Sequence, residues 1–260
     1  MSLLPDYSRQ AIAYDSTRGA SPSVLSPLRL ALDGAPGSRL LDVGGGTGNY
    51  ARALQAEGWD PTVLDRSEAM LAHARAKGLR ALLGDAQRLP FAERSFDALM
   101  LVSMLHHVET PAQALAEARR VLVPGGRLAV MVFTREDIAD LWCLEYFPSS
   151  LPWMRETHPP LAELLGELPG ATVLDVEYLD IQDGSMAAMM SHPELVLDAH
   201  RRSQTSYFER MARDHPDELQ QGLDRLAREL SKGEGPNRSG RATMIAWGKP
   251  GGTTGPERTS

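Results

Sequence analysis

The sequence predicts an α/β chain built on a doubly wound parallel sheet, and three observations predict it. Short apolar runs alternate with helical patterns through residue 133, the rhythm of successive βαβ units. The first run breaks into a glycine-rich turn in the segment Leu40 to Tyr50, LLDVGGGTGNY. Three successive runs carry an acid at or beside their carboxyl ends: Asp42, Asp65 and Asp85. In an open sheet of this kind a ligand sits at the carboxyl ends of the strands, where all three acids fall.

The elements follow in order. Strands are expected at Arg39 to Val43, Thr62 to Leu64, Arg80 to Leu83, Asp97 to Val102 and Arg127 to Phe133. Helices are expected from Tyr50 to Glu57, Ser67 to Lys77 and Pro111 to Leu122. The last has Thr110 as N-cap, Pro111 at the first helical position and Gly125 beyond its end. Ala171 to Ile181 alternates apolar and polar residues and suits a sixth strand, and Arg241 to Trp247 suits a closing one.

The glycines Gly44, Gly45, Gly46 and Gly48 suit a turn that needs positive φ and lets a ligand lie against bare backbone N–H groups. Two cofactor classes use such a turn. Gly46, Gly48 and Ala51 fit the G-x-G-x-x-A form of a dinucleotide fingerprint, with Asp65 standing 19 residues beyond Gly46 as the ribose acid. Against this stands Asp42. A carboxylate two residues before the first glycine repels a pyrophosphate and attracts an ammonium or sulfonium group. Asp65 is then placed to accept both ribose hydroxyls, and Asp85 to meet an adenine amino group.

With these residues in view, the chain resembles the class I S-adenosylmethionine-dependent methyltransferases, in the branch of ubiquinone/menaquinone-biosynthesis and small-molecule enzymes. The resemblance is carried by LLDVGGGTG at 40 to 48, VLDRSEAML at 63 to 71, GDAQRLPF at 84 to 91, FDALMLVSMLHHV at 96 to 108 and RRVLVPGGRLAV at 119 to 130. It implies a Rossmann-like seven-stranded sheet with an antiparallel last strand. It also implies that Gly44 and Gly46 back the methionine moiety, that Asp65 holds the ribose and Asp85 with Ala86 the adenine, and that Arg66 and Met70 flank the adenosine. Ser103, just past the fourth strand, completes the expected cofactor set with Asp42. Tyr14, in DYSRQAIAYDSTRG, is the candidate gate, because related enzymes place a Tyr-Asp pair and a following basic residue on a helix over the cofactor.

Residues 1 to 30 are therefore read as a helical lid, with Ser21 to Pro27 (SPSVLSP) a linker with room to hinge, and 31 to 133 as the cofactor-binding core. Residues 134 to 170 and 182 to 240 are insertions rich in Trp, Tyr, Phe and Met. Both are expected to leave and rejoin the sheet on the cofactor side and to form a cap, most of their aromatics packing it and some lining an apolar acceptor pocket. Residues 171 to 181 and 241 to 248 return to the core, and the tail from Lys249 to Ser260 reads as disordered.

Composition sets limits. The 260 residues suit one α/β domain with a cap. A net charge of −7 argues against broad nucleic-acid binding. The single cysteine, Cys143, provides no disulfide framework within the chain and no multi-cysteine metal site. The start MSLLPDYSRQ has no basic region followed by an apolar core, and no apolar run reaches membrane-span length, so a cytoplasmic protein, monomer or homodimer, is expected.

Methyl transfer from a sulfonium is an in-line displacement, which needs a nucleophile about 3 Å from the methyl carbon and water excluded. A phenol, alcohol, amide or carbon acid must also lose a proton, and a histidine suits that task. His107 is the first candidate for the base and His106 the second, with His158 and His192 in the cap as alternatives. No metal is expected, since only Glu109 stands near LVSMLHHVET. The expected activity is methylation of O, N or C on a small apolar or aromatic metabolite, with S-adenosylmethionine as donor, in small-molecule biosynthesis or secondary metabolism. The alternatives are a nicotinamide-dependent Rossmann enzyme, which lacks a recognisable Tyr-x-x-x-Lys pair here, and a non-catalytic S-adenosylmethionine-binding protein.

Overall fold

The computed structural model describes residues 19–177, 186–203, 205–236 and 240–251. Its centre is a seven-stranded sheet of β1 (Arg39–Val43), β2 (Asp60–Asp65), β3 (Arg80–Leu83), β4 (Phe96–Val102), β5 (Leu122–Val132), β6 (Thr172–Glu177) and β7 (Arg241–Gly248). The strand order is β3-β2-β1-β4-β5-β7-β6. The first five strands pair in parallel, and β7 runs antiparallel to both β5 and β6. The sheet is the Rossmann-like one the resemblance implies. Its strand order reverses direction between β1 and β4, and the crevice at their carboxyl ends is where such a sheet takes a ligand.

Alternation along the strands divides the core into two layers. Leu40, Val63, Ala98, Met100 and Ala129 face one side, with Val24, Leu28, Leu54 and Leu71 from the covering helices. Leu41, Val43, Leu64, Leu99, Leu101 and Val130 face the other, with Leu115, Ala118 and Leu164. The covering helices are α1 (Pro22–Leu32), α2 (Asn49–Gln55), α3 (Glu68–Ala76) and α4 (Pro111–Val121), and the last begins and ends within a residue of its expected bounds. β5 starts earlier than expected: Leu122 pairs with Phe96, the register shifts, and Arg127 resumes opposite Ala98, leaving Phe133 past the strand's end. β6 stops at Glu177, and the rest of the expected Ala171 to Ile181 strand lies outside the described residues from 178 onward.

Three expectations are corrected. Ser21 to Pro27 is no linker: Pro22 opens α1, whose Val24, Leu25, Leu28, Ala31 and Leu32 are buried against β5, β6 and β7. Serine and proline suggested a hinge, but the i, i+4, i+8 spacing of Val24, Leu28 and Leu32 is a helical stripe. Burying each such side chain is worth about 1.5–3 kcal/mol, which outweighs one poor helix former at Pro27. The second correction concerns residues 134 to 170. They leave β5 at the cofactor edge, but β6 runs parallel to β5 and is therefore entered from the opposite edge. The helix Leu161–Glu167 makes that crossing along the sheet face, beside α4. Only the segment between β6 and β7 both leaves and returns at the cofactor edge. The third is the tail boundary. Lys249 is held, its backbone N–H donating to Gly126 O at 2.9 Å and its Nζ to the carbonyls of Arg119 and Leu122 at the C-terminal end of α4.

The insertions fold as α5 (Arg135–Ala139), α6 (Leu151–Thr157), α7 (Leu161–Glu167), α8 (Met186–Ser191), α9 (Ala199–Arg202), α10 (Ser206–Asp214) and α11 (Pro216–Ser231), joined by short 3₁₀ turns. Apart from α7 they form a cap with its own core: Trp142, Tyr146, Phe147, Met154, Met189, Met190, Tyr207, Phe208 and Met211 pack together. No helix among the described residues is long and apolar enough to cross a membrane.

Candidate functional site

Gly44, Gly46 and Gly48 all take left-handed φ, at 69°, 55° and 74°. The space their missing Cβ atoms leave is used by the chain itself. A Cβ on Gly44 would stand 2.8 Å from Met104 Cβ, one on Gly45 2.3 Å from an Asp42 oxygen, and one on Gly48 2.4 Å from Leu79. The backbone N–H groups are also committed. Those of Gly44 and Gly45 donate to Leu64 O, that of Gly46 to Asp65 Oδ2 at 2.9 Å, and that of Gly48 to Gly45 O. The expected row of bare glycine donors is therefore absent among the described residues. The turn offers these donors to no anion, because it is tied to the end of β2.

Behind the turn lies Asp42, buried at 2% exposure. No hydrogen bond reaches its carboxyl group among the described residues, and burial, reinforced by the nearby Asp65 carboxylate, pushes its pKa up to about 8. The Thr47 hydroxyl in the same turn is likewise buried without a partner among the described residues. Sequence reading passed over Thr47, although its place between two positive-φ glycines was the available signal.

Asp65 ends β2 and straps two elements. Its Oδ2 accepts from Gly46 N and its Oδ1 from Ser67 N at 2.8 Å, while the Ser67 side chain caps α3 by accepting from Met70 N. Asp85 lies one strand further on, exposed, its Oδ1 accepting from Gln87 N at 2.9 Å in a local turn, with Ala86 buried beside it. Met70 is buried and Arg66 exposed. Ser103, exposed at the end of β4, carries φ of 53°, one of two non-glycine residues in the left-handed region among the described residues. Its N–H donates to Met131 O at 2.9 Å, which pins that conformation. The structure thus gathers Asp42, Gly44, Gly46 and Asp65 into one turn and sets Asp85, Ala86 and Ser103 at adjoining strand ends. Tyr14 lies outside the described residues.

Met104, which fills the space beside Gly44, leads directly into a 3₁₀ turn, Leu105–His107, and accepts the His107 N–H at 2.9 Å. The paired histidines are therefore one turn from the glycines. Their ring centroids are 3.8 Å apart, and His158 from the cap stacks on His106 at 5.4 Å with an interplanar angle of 17°. Phe133, just past β5, meets His158 edge-on at 6.4 Å. Burial, then the neighbouring His107 and His158, drives the His106 pKa well below the ordinary histidine value, and its Nδ1 is shut away without a partner among the described residues. His158 is also lowered by burial, against the opposing pull of the Met154 carbonyl and Asp137. His192 stands elsewhere in the cap, 3.5 Å from Glu194.

One cavity in the cap, of about 340 Å³, is lined by Trp142, Glu145, Tyr146, Arg225, Glu229 and Glu234. Among the described residues no group of three His, Cys, Asp or Glu is arranged to hold a metal ion.

Comparison with known proteins agrees with this geometry. Residues 41–130 match the methyltransferase domain model. A demethylmenaquinone methyltransferase of Renibacterium salmoninarum is 33% identical over 190 residues, 65% of this chain and 80% of that protein. A ubiquinone/menaquinone biosynthesis C-methyltransferase of Roseobacter denitrificans is 35% identical over 152 residues, 51% of this chain and 61% of that one's length. Among solved structures, a protein assigned as a methyltransferase of an antibiotic biosynthesis pathway in Anabaena variabilis aligns over 88% of this chain and 98% of its own. Its TM-score is 0.72 at 22% identity, a likeness of fold.

Proposed function

Because the chain belongs to the S-adenosylmethionine-dependent methyltransferases of the ubiquinone/menaquinone type, we propose that it transfers a methyl group from that cofactor to a small organic acceptor. The observation that carries the reading is the buried Asp42 carboxyl group behind a turn whose glycine N–H groups are already committed. A pyrophosphate needs free N–H donors and no facing carboxylate; a cationic amino-acid tail needs the reverse. The residues therefore fit S-adenosylmethionine and oppose a dinucleotide.

Asp42 and the turn through Gly44 and Gly46 would hold the methionine end, Asp65 the ribose, and Asp85 with Ala86 the adenine, with Met70 and Arg66 beside the adenosine and Ser103 at the reacting end. Tyr14 remains the candidate gate. When bound, the cofactor supplies an electrophilic methyl group on a sulfonium. The chain's own work is to hold that group still, keep water out, and take a proton from the acceptor. The rings of Phe133 and of the buried, neutral His106 suit water exclusion, and His107 at the sheet end and His158 in the cap are the candidates for proton transfer. The cap would cover the acceptor. The net charge of −7 supports a small molecule over a nucleic acid as partner, and a cytoplasmic location fits such an acceptor.

The test is calorimetry with S-adenosylhomocysteine and NAD, followed by methyl transfer to 1,4-naphthohydroquinone as a probe acceptor. Micromolar binding of the first ligand with none of the second is expected. Tighter binding of NAD overturns the reading, and cofactor binding without turnover of any small acceptor favours the non-catalytic alternative.

A further inference from the structure

We propose that His158, a residue of the cap, is the proton acceptor at the reacting end, with Nε2 as its basic atom; this rests on the methyltransferase reading above. The inference starts from which nitrogen carries hydrogen. His158 Nδ1 lies 2.8 Å from the Met154 carbonyl, an atom that only accepts, so the hydrogen of the neutral ring is on Nδ1. The lone pair is then on Nε2. Thr157 Oγ1, 3.0 Å from the same Nδ1, shares that hydrogen. Nε2 itself has no bonded partner among the described residues and is not sealed off from solvent. A ring whose Nδ1–H is anchored and whose Nε2 is bare has the orientation that general-base histidines require.

The ring is also held in place from several sides. The His158 N–H donates to Met154 O at 3.1 Å, its carbonyl accepts from Arg135 Nε at 3.1 Å, and the Arg135 N–H donates to Pro159 O at 3.2 Å. His106 lies parallel to one face and Phe133 meets it edge-on. A base fixed in this way loses little freedom when the acceptor arrives.

The sheet-end partner is built differently. His106 Nδ1 is enclosed and unpartnered among the described residues, and a ring so buried between two other imidazoles does not take up a proton readily. It serves as a neutral wall. The titratable and charged groups that face His158 are His106 from the 3₁₀ turn and Arg135 and Asp137 from α5. Asp137 is bonded to Thr134 and Thr243 and, with the Met154 carbonyl, favours a charged His158. In the step proposed, the acceptor's O–H or C–H bond breaks, its proton goes to Nε2, and its electron pair stays behind as the nucleophile. The imidazolium, opposite Asp137, later returns the proton to solvent.

The experiment uses the full chain saturated with S-adenosylhomocysteine and labelled with ¹⁵N-histidine. His158 is expected to show a protonated Nδ1 and a bare Nε2 near neutral pH; a protonated Nε2 overturns the proposal whatever the acceptor. With 1,4-naphthohydroquinone as probe, His158→Gln is expected to lower kcat about a hundredfold, the lower end of what general-base catalysis supplies. The loss is expected to shrink at alkaline pH, where the probe ionises unaided. The affinity for S-adenosylhomocysteine stays within about threefold in the variant and in the exposed control His200→Gln, and His200→Gln keeps its rate. A His158→Gln enzyme as fast as wild type, or one whose deficit is the same at every pH, overturns the proposal. If wild type binds no S-adenosylhomocysteine, the methyltransferase reading itself fails, a result distinct from a wrong tautomer.

Discussion

The turn that carries Asp42 and the core of the cap are both buried, yet they treat polar groups in opposite ways. In the cap, Trp142 Nε1 donates to Met190 O at 2.9 Å, the Tyr207 hydroxyl to Ser150 Oγ at 2.9 Å, and Ser150 in turn to Phe147 O at 2.7 Å. Trp153 Nε1 and Arg210 Nε are the exceptions there. At the sheet edge, Asp42 is buried without a hydrogen bond among the described residues, the Thr47 hydroxyl lacks a partner there, and Ser103 holds a left-handed backbone. The difference teaches where stability has been given up. At the strand ends the unmet groups are a carboxyl, a hydroxyl and the His106 Nδ1, atoms that a ligand could satisfy, whereas Trp142, Tyr207 and Ser150 are met within the cap, which reads as a support.

The cap is expected to support the fold without binding the cofactor. Phe208, 2% exposed and packed on Phe147 and Tyr207, is a pure packing residue. Phe208→Ala is expected to cost about 3–5 kcal/mol in chemical denaturation, with S-adenosylhomocysteine affinity unchanged below the unfolding transition. A tenfold loss of affinity at temperatures where the variant remains folded would show that the two regions are not separable.

Asp65→Ala is the counterpart in the cofactor half. It removes a carboxylate that braces Gly46 and Ser67 and is placed for the ribose, so affinity is expected to fall by about 1.5–3 kcal/mol, the range for hydrogen bonds to a charged group. Calorimetry decides, and an unchanged dissociation constant would put the ribose elsewhere.

Asp42 makes the turn, unlike the cap, sensitive to pH. Its folded pKa, about 8, lies above the unfolded value near 4, so the fold favours the protonated acid. Its contribution to stability is therefore full below about pH 4 and is lost as pH rises toward 8. Asp42→Asn is expected to match wild type near pH 4 and to exceed it by a few kcal/mol near pH 8, since wild type loses up to about 1.4 kcal/mol for each pH unit climbed between those values. Cofactor affinity runs the other way. It should rise in wild type as Asp42 ionises and stay flat and weak in the variant. Parallel pH profiles for the two proteins would remove Asp42 from the site.

The two regions were not equally legible in the sequence. β1 and β3 fall on their expected bounds because each is a short apolar run with a clear stop, and Asp42 and Asp65 were visible because acids at strand ends break a pattern. The role of the glycines was half legible. Positive φ could be read from residue type, but that Met104, Asp42 and Leu79 fill the vacated space depends on contacts distant in sequence. α1 was missed because Ser-Pro composition masked its apolar stripe. His158 meets His106 only because a segment about 50 residues beyond the 3₁₀ turn folds back over it. In the cap, the Trp and Met positions announced burial and nothing about which neighbour each would meet.

The smallest expected effect compares two residues sharing one backbone conformation. Ser103 and Arg94 both have left-handed φ, at 53° and 58°, and both N–H groups are bonded, to Met131 O and Arg120 O. A non-glycine residue in that region stores about 1 kcal/mol or more. Replacing it with glycine releases that strain, but the freer unfolded chain gives back about 0.4–1 kcal/mol. Ser103→Gly and Arg94→Gly are therefore each expected to change stability by less than about 1 kcal/mol, and by similar amounts. Their effects on methyl transfer should differ. Arg94 follows the loop at the opposite edge of the sheet, before β4, and its variant should keep wild-type turnover of the probe acceptor. Ser103 leads into Met104 and the histidine turn, so loosening it should lower kcat several-fold with little change in cofactor affinity. Equal rates in the two variants would mean that the left-handed turn at Ser103 is a feature of the fold and not of the site.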